Sequence, residues 1–338
     1  MTCFVQAKAS EKDVIFLQKP AKLAEKLFLI DGYDLNMEER TGTYILAEDS
    51  LAIIETSASP SVTRILDGLE ALNLSVQEVK YIILTHIHLD HAGGAGLLLK
   101  SCPQAKVMVH PKGEKHLADP SRLIAGAKAV YGDQFEALFD PILPIPPDRL
   151  EAMEDGSELR LSDTCTLVFF DTPGHANHHF SVYYPPENGM FTGDTAGIFY
   201  PQLYREGVEF YLPSTSPNQF SPEKMLASIS LYQSRKLDCL FFGHYGISRN
   251  PAEAYFQVRS WLEIFIEEAE TAFHAASHNE APGQIASRLK KRVFAHLSQK
   301  GIADDHPIYS LLSLDLEVSA MGLADYLAKR DNKTEKLR

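Results

Sequence analysis

The stretch at residues 85–91 reads Thr85-His86-Ile87-His88-Leu89-Asp90-His91. It follows the apolar run at 81–84, which is typical of a buried strand, and it precedes a run of glycine and alanine at 92–96. Small residues of this kind let the chain turn tightly and enter a helix. In open α/β sheets, ligand sites lie where strands end. The stretch therefore predicts a functional site at the end of a strand.

The side chains in this stretch favour a metal site. Imidazole nitrogens and carboxylate oxygens are ligands that Zn²⁺ accepts in proteins. Side chains alternate along an extended segment, so His86 and His88 point the same way and can bind one ion together. A turn at Leu89 would re-aim Asp90 and His91 toward a second ion. The alternative is a set of surface histidines on a loop, which leaves this close spacing unexplained.

Length and composition are those of an ordinary folded protein. The chain has 338 residues, of which 45% are apolar and 23% are charged, which is enough for one large domain plus a small one or for two of middle size. The formal net charge is −13, and no long basic run precedes the short cluster at 290–292. Proteins that bind phosphate backbones usually carry a basic face, so nucleic acid is disfavoured as a partner.

The sequence also indicates a compartment. We see no apolar segment with the length of a membrane span, and the N-terminus lacks the apolar core of a secretory leader. The cysteines are far apart and form no CxxC pair, as is typical of a reducing compartment; they are Cys3, Cys102, Cys165 and Cys239. We therefore expect a cytoplasmic protein with a small-molecule substrate and no membrane partner, and a homodimer stays open.

Three later strand ends present further potential ligands. Apolar runs at about 167–170 and 189–191 lead to His175, after a Pro-Gly turn, and to Asp194, after a glycine. A third apolar run leads to His244, again after a glycine. With the stretch at 85–91, four separate strand ends deliver metal-competent side chains. This repetition predicts one site gathered at one edge of a sheet.

Two segments differ from the rest of the chain in their residue pattern. Residues 112–150 combine a helical pattern at about 120–139 with a proline-rich end, and this segment is either a lid over the site or a plain surface excursion. From Asn250-Pro251 onward the pattern is helical, with segments predicted near 282–299, 306–314 and 317–330. We therefore predict a catalytic domain at 1–250 and a helical C-terminal module at 251–338.

The motifs together resemble those of the metallo-β-lactamase superfamily. They are Thr-His-x-His-x-Asp-His at 85–91, Thr-Pro-Gly-His at 172–175, Thr-Gly-Asp at 192–194 and Gly-His at 243–244. The resemblance covers roughly residues 27–250. It implies an α/β fold of the αββα sandwich type, with two mixed sheets, helices outside, and a two-metal site at one sheet edge. Within the superfamily the chain resembles thioester hydrolases of the glyoxalase II type and the lactonases, and the helical C-terminal module fits the first of these groups loosely.

The resemblance also implies roles for individual residues. The first metal would be bound by His86, His88 and His175. The second would be bound by Asp90, His91 and His244, with Asp194 bridging the two. These would be two divalent ions, with Zn²⁺ favoured and Fe or Mn compatible. Asp90 would also act catalytically by orienting the nucleophile, and His179 would support the site by a hydrogen bond. The family usually has an aspartate where this chain has Glu55.

The implied reaction is hydrolysis by a metal-bridging hydroxide of an ester, lactone or thioester. An iron-dependent oxidoreductase on the same fold, a phosphodiesterase, and a metal-stabilised binding protein are the alternatives. The aromatic segment after Asp194 should overhang the site and suggests an apolar or amphipathic acyl substrate, with Arg205 a candidate to hold a carboxylate or phosphate. Its substrate-binding candidates are Tyr200, Tyr204, Arg205 and Tyr211. Core aromatics under a loop are the other interpretation of this segment.

Overall fold

Two mixed β-sheets face each other and carry helices on their outer sides, as the computed structural model of the chain shows. It describes residues 19–275, 277 and 280–336, with the backbone alone for 333–336. The N-terminal residues behind the no-leader prediction, and Cys3 among them, lie outside the described residues. Cys102, Cys165 and Cys239 are buried free thiols.

The first sheet is built from the first half of the chain. Its strands are β1 (Ala21–Lys22), β2 (Leu27–Asp31), β3 (Gly42–Leu46), β4 (Ala52–Ile54), β5 (Tyr81–Ile83), β6 (Lys106–Val109) and β7 (Leu150–Ala152). They lie side by side in chain order. The pairs up to β3–β4 are antiparallel, and those from β4–β5 to β6–β7 are parallel. Parallel strands need crossover connections, and helices supply them here.

The second sheet follows in the chain. The strands of this half are β8 (Glu158–Arg160), β9 (Thr166–Asp171), β10 (Phe180–Tyr184), β11 (Gly189–Gly193), β12 (Ile198–Phe199), β13 (Tyr211–Leu212), β14 (Cys239–Phe242) and β15 (Ile247–Ser248). The sheet order is β15-β14-β11-β10-β9-β8, in which β11 and β14 run parallel. Strands β12 and β13 pair with each other in a small separate sheet.

Helices connect and cover the strands. They are α1 (Val62–Ala71), α2 (Leu89–Ala92), α3 (Ala95–Leu98), α4 (Pro111–Ala118), α5 (Ser121–Tyr131), α6 (Phe135–Phe139), α7 (Pro201–Tyr204), α8 (Pro222–Ser234), α9 (Pro251–Ala275), α10 (Ala281–Gln299) and α11 (Ile308–Lys336). The helix predicted at 120–139 is interrupted after α5 at Gly132, where φ is +55°. None of the helices in the described part of the chain has the length and apolar character needed to cross a bilayer.

Alternation along the strands builds the layered core. In β4 and β5, Ile53 and Ile82 pack with α1 and α3 on the outer face, whereas Ile54 and Ile83 pack with Phe169 of the second sheet. Side chains of a strand point to opposite faces in turn, so a strand that is apolar throughout is covered on both sides. The predicted αββα sandwich is thus confirmed.

The C-terminal helices α9, α10 and α11 cover the outer face of the second sheet. Their apolar side chains share one hydrophobic core with β11 and β14, in which Phe242 packs with residues such as Val258 and Leu312. The predicted helical character of this region is confirmed, and the domain boundary at 250 stays a prediction. The predicted break between 314 and 317 is wrong, because α11 runs through it without interruption.

Candidate metal centre

The histidines and aspartates singled out in the sequence lie on loops at one edge of the two sheets. Strand β5 ends at Ile83, and the chain then passes His86 and His88 before α2 carries Asp90 and His91. His175 lies in the β9–β10 loop, and Asp194 and His244 come directly after β11 and soon after β14. The parallel β11–β14 pair places the last two at neighbouring strand ends.

The structure brings these seven side chains together. Three sets have ligand atoms within 4.8 Å of one another: His86, His88 and His175; His86, His91 and Asp194; and Asp90, His91 and His244. The sets share His86 and His91, so they form one continuous cluster. The first and third sets are the triads predicted for the first and second ion.

Asp194 lies between the two predicted triads. Its Oδ1 is 3.4 Å from His91 Nε2, and its Oδ2 is 3.6 Å from His175 Nε2 and 3.2 Å from His244 Nε2. A single carboxylate therefore contacts histidines of both triads. This is the position that a bridging ligand requires.

Several buried ligand atoms have no hydrogen-bond partner. They include His86 Nε2, His91 Nε2 and Asp194 Oδ1, all of which lie in the cluster. Leaving a buried polar atom unpaired costs about 1–3 kcal/mol, so such atoms are uncommon in folded proteins. Divalent cations would satisfy all three atoms at once. The donor set of imidazole nitrogens and carboxylate oxygens fits borderline metals such as zinc and iron.

Most of these histidines are held in the neutral form that binds metals. Burial, reinforced by neighbouring imidazoles, lowers the pKa values of His86 and His88 well below the usual one, and burial also lowers the pKa of His175. His175 Nδ1 donates to Ser214 O at 3.0 Å, which leaves Nε2 with its lone pair. That Nε2 lies 2.8 Å from His88 Nδ1. The two nitrogens are therefore close enough to share one ion.

Charge complementarity governs the rest of the cluster. Burial disfavours the charged form of His91, but Asp194, Asp90 and Glu55 outweigh it and raise its pKa to about 10. Burial likewise opposes ionisation of Asp194, but His244, His91 and His175 hold its pKa well below the usual range. The site thus keeps a buried carboxylate ionised, and a bound cation would take the place of the proton on His91.

Glu55, at the position where the family usually has an aspartate, contacts two parts of the cluster. Its Oε1 accepts a hydrogen bond from Thr85 N at 3.0 Å, and its Oε2 lies 3.4 Å from His91 Nδ1. The backbone at Glu55 has φ = +64°, an uncommon conformation for a residue with a side chain. Glu55 therefore fixes the start of the histidine stretch and the orientation of the His91 ring.

Two further residues support Asp194. His179 Nε2 accepts a hydrogen bond from Asp194 N at 3.3 Å, and His179 Nδ1 lies 3.1 Å from Thr172 Oγ1. The predicted supporting contact of His179 is therefore made through the backbone of a candidate ligand. Ser214, which no motif in the sequence singles out, donates from Oγ to Asp194 Oδ2 at 3.2 Å.

A cavity of about 370 Å³ opens beside the cluster, a size within the range of small-molecule sites. Candidate ligands line one end of it: His88, Asp90, His175, Asp194 and His244. Helix α5, from the segment interpreted as a lid or a surface excursion, lines another side. Helix α11 contributes Asp315, Val318 and Ser319. The C-terminal region is therefore part of the cavity wall.

The four residues predicted to bind substrate lie outside the lining of this cavity. Tyr200 and Tyr211 are buried in the hydrophobic core, where the Tyr200 ring packs on Phe210 and the Tyr211 ring packs on Phe199. Tyr204 is 58% exposed, and Arg205 forms a surface ion pair with Glu39 at 2.7 Å. For Tyr200 and Tyr211, the interpretation as core aromatics is the one that the structure supports.

A buried arginine links the cavity to the C-terminal helix. Arg40 lines the cavity, and its Nη1 donates to Asp315 Oδ1 at 2.7 Å while its Nε lies 3.3 Å from Asp34 Oδ2. Tyr200 Oη donates to the other Asp315 oxygen at 3.1 Å. The sequence did not reveal this network, since Arg40 and Asp315 are 275 residues apart.

Comparison with known families agrees with the fold. Residues 40–244 match the sequence profile of the metallo-beta-lactamase superfamily. Because the match covers well over half of the chain, the protein belongs to this superfamily, whose members are generally metal-dependent hydrolases.

Individual relatives are distant. The metallo-beta-lactamase fold-containing protein ST1585 of Sulfurisphaera tokodaii is 32% identical over 145 residues, which is 42% of this chain and 51% of that protein. A hydroxyacylglutathione hydrolase of Legionella pneumophila is 28% identical over 117 residues, or 35% of this chain and 34% of the relative. The chain thus spans about half, or less, of the length of these two proteins.

Solved structures show the same fold over nearly the whole chain. The metallo-beta-lactamase family protein TTHA1429 of Thermus thermophilus has a TM-score of 0.65 at 17% identity, covering 92% of this chain and 95% of that one. The archaeal ST1585 structure has a TM-score of 0.60 at 22% identity, and the match covers 89% of this chain and 98% of that one. At these identities the likeness concerns the fold.

Proposed function

We propose that the protein is a dinuclear metal hydrolase, with zinc the favoured metal, that acts on a carboxylic ester, lactone or thioester. The observation that carries the proposal is the seven-residue cluster, with two overlapping triads, a carboxylate between them and unpaired buried ligand atoms. Relatives that are named hydroxyacylglutathione hydrolases support hydrolysis of an acyl group, and specifically of a thioester.

The chain's own residues would hold two ions. His86, His88 and His175 would bind the first, and Asp90, His91 and His244 the second, with Asp194 shared. Bound ions of this kind lower the pKa of a water molecule toward neutrality and offset negative charge that develops on a substrate. No serine or cysteine nucleophile is needed for such chemistry.

Protein groups around the cluster would position the reacting molecules. Asp90 lines the cavity, its side chain is 18% exposed, and its Oδ2 lies 3.7 Å from His244 Nε2. It is therefore both a candidate ligand and the carboxylate best placed to accept a proton from an attacking water. Glu55, His179 and Ser214 hold the ligands in place, and fixed ligands reduce the reorganisation that the reaction requires.

The test combines metal analysis with a substrate panel. We expect purified protein to contain about two zinc ions per chain, as two-metal hydrolases do, and to hydrolyse members of a panel of thioesters, esters and lactones. Asp194→Asn should lower kcat/KM by at least about a hundredfold, with the circular dichroism spectrum unchanged. Asp163→Asn is the matched control, because the Asp163 side chain is 90% exposed.

Two results would contradict the proposal. One is protein that binds no transition metal, and the other is undiminished hydrolysis by the Asp194→Asn variant. Iron alone, together with no turnover of any panel member, would favour the oxidoreductase alternative instead. Hydrolysis confined to phosphodiesters would support the metal centre, but it would refute esters, lactones and thioesters as the substrate class.

A further inference from the structure

Helix α5 presents apolar side chains that the rest of the protein covers only in part, because those that pack on the small core around Phe135 and Phe139 stay half-buried. None of its residues is buried, although Leu123, Ile124, Val130 and Tyr131 are large and mostly apolar. Helices of folded proteins usually bury such a face against the core. An apolar face that stays partly open beside a candidate active site is typical of a ligand-binding surface.

This face lies on the cavity. Leu123, Ala127 and Val130 of α5 line one side of it, and Val318 of α11 contributes to the wall from the C-terminal helix. Ile87 and Leu89, which alternate with the candidate ligands in the histidine stretch, line it as well. Apolar side chains of α5, α11 and the histidine stretch therefore line the same cavity as the candidate metal ligands.

Charged groups in the lining argue against a strongly anionic substrate. Among the described lining residues, the arginines are Arg40 and Arg122. Arg40 is already neutralised by the buried carboxylates of Asp34 and Asp315, and Arg122 is solvent-exposed on α5. A peptide conjugate with several carboxylates would need more cationic partners than this wall offers.

We propose that the cavity holds the aliphatic acyl chain of the substrate, between α5 and α11, with the scissile carbonyl at the metal end. The favoured substrates are then neutral acyl thioesters, esters or lactones with acyl chains of medium length. This inference rests on the proposed hydrolase function and adds a substrate class to it. Val130 and Leu123 are the residues that set the accepted chain length.

A chain-length series tests the inference. The probes are the acetyl, butanoyl, hexanoyl, octanoyl and decanoyl thioesters of N-acetylcysteamine, a small uncharged leaving group. Each buried methylene contributes enough transfer free energy for roughly a fourfold gain in binding. We therefore expect kcat/KM to rise by up to about fourfold per methylene until the cavity is full. A profile that is flat or falls with chain length would overturn the inference.

Variants on α5 test whether the preference for long acyl chains depends on the cavity wall. Val130→Trp narrows the cavity on the α5 side and should lower the ratio of decanoyl to acetyl kcat/KM by at least about tenfold. Ala125→Trp is the control, because Ala125 is exposed on the same helix and lies outside the lining. This variant should keep the wild-type ratio. Equal ratios in the two variants would contradict the assignment of Val130.

A binding experiment separates failure of this inference from failure of the hydrolase proposal. Octan-1-ol cannot be hydrolysed, and calorimetric titration into metal-loaded protein should show binding that Val130→Trp weakens. Octanol binding without turnover of any thioester, ester or lactone would refute the hydrolase function while keeping the acyl-chain site. Turnover that is independent of chain length, with no octanol binding, would refute the acyl-chain site alone.

Discussion

Replacing Gly322 with alanine tests how closely the C-terminal helix packs against the metal centre. A Cβ atom at this position of α11 would clash with Thr215 O and lie 2.7 Å from the carbonyl carbon of Ser216. Both are backbone atoms, so no side-chain rotation can relieve the contact. Either α11 or the chain at 214–216 must move, and Ser214 in that chain contacts both His175 and Asp194.

The size of the effect follows from two opposing contributions. Alanine in place of glycine within a helix contributes up to about 1 kcal/mol of stability. Overpacking typically costs about 1–3 kcal/mol, and more where backbone must shift. We expect Gly322→Ala to lower the free energy of unfolding by about 1–2 kcal/mol. Gly283→Ala in α10, where a Cβ would meet nothing within 4 Å, should instead raise it by about 0.5 kcal/mol.

Urea unfolding monitored by circular dichroism measures both variants on metal-loaded protein. Both variants replace a glycine with an alanine, but the predicted changes in the free energy of unfolding have opposite signs. A difference between the two variants therefore reports on the local contact and not on the type of substitution. We also expect Gly322→Ala to weaken zinc binding in a chelator competition, because displacement of 214–216 disturbs the hydrogen bond to Asp194. A Gly322→Ala protein as stable as Gly283→Ala, with unchanged zinc affinity, would refute the reasoning.

Two further substitutions examine buried charges around the site. Asp315→Ala removes the buried partner of Arg40 and should cost about 3–5 kcal/mol in urea unfolding. Asp325→Ala on the same helix removes a partly exposed ion pair and should cost less than about 1 kcal/mol, so equal losses would contradict the assignment of a buried pair. Glu55→Ala should weaken zinc affinity by about 10–100-fold in chelator competition, and Glu55→Gln by less, because glutamine can still accept the backbone hydrogen bond. Undiminished zinc affinity in Glu55→Ala would show that this carboxylate does not orient the ligands.

The gathering of the candidate ligands could be predicted because their positions are set locally. Each lies within a few residues of the end of a buried strand, after a glycine or at a tight turn, and the ends of packed strands meet at one edge. Glu55 was visible in the sequence as a departure from the family pattern. Its contacts with Thr85 N and His91 were not, since they depend on the unusual backbone conformation at that residue.

The walls of the cavity could not be predicted in the same way. The sequence pattern around an aromatic residue near a site is the same whether its ring faces the substrate or the hydrophobic core. Tyr200 faces the core because its hydroxyl meets Asp315, 115 residues further along the chain. Leu123 and Val130 have only a helical pattern around them, and their exposure to the cavity follows from where α5 lies relative to α11. Such placements arise from tertiary packing and leave no local signal.

Asp315 shows why the C-terminal region belongs to the site. It lies between the helical segments predicted near 306–314 and 317–330. In the structure α11 continues through it, because the buried carboxylate is satisfied by Arg40 and Tyr200. A residue at the predicted break is thus the one that ties this helix to the cavity. Loss of α11 would remove both the partner of Arg40 and the wall provided by Val318, so the helical C-terminal region is needed to complete the cavity beside the candidate metal ligands.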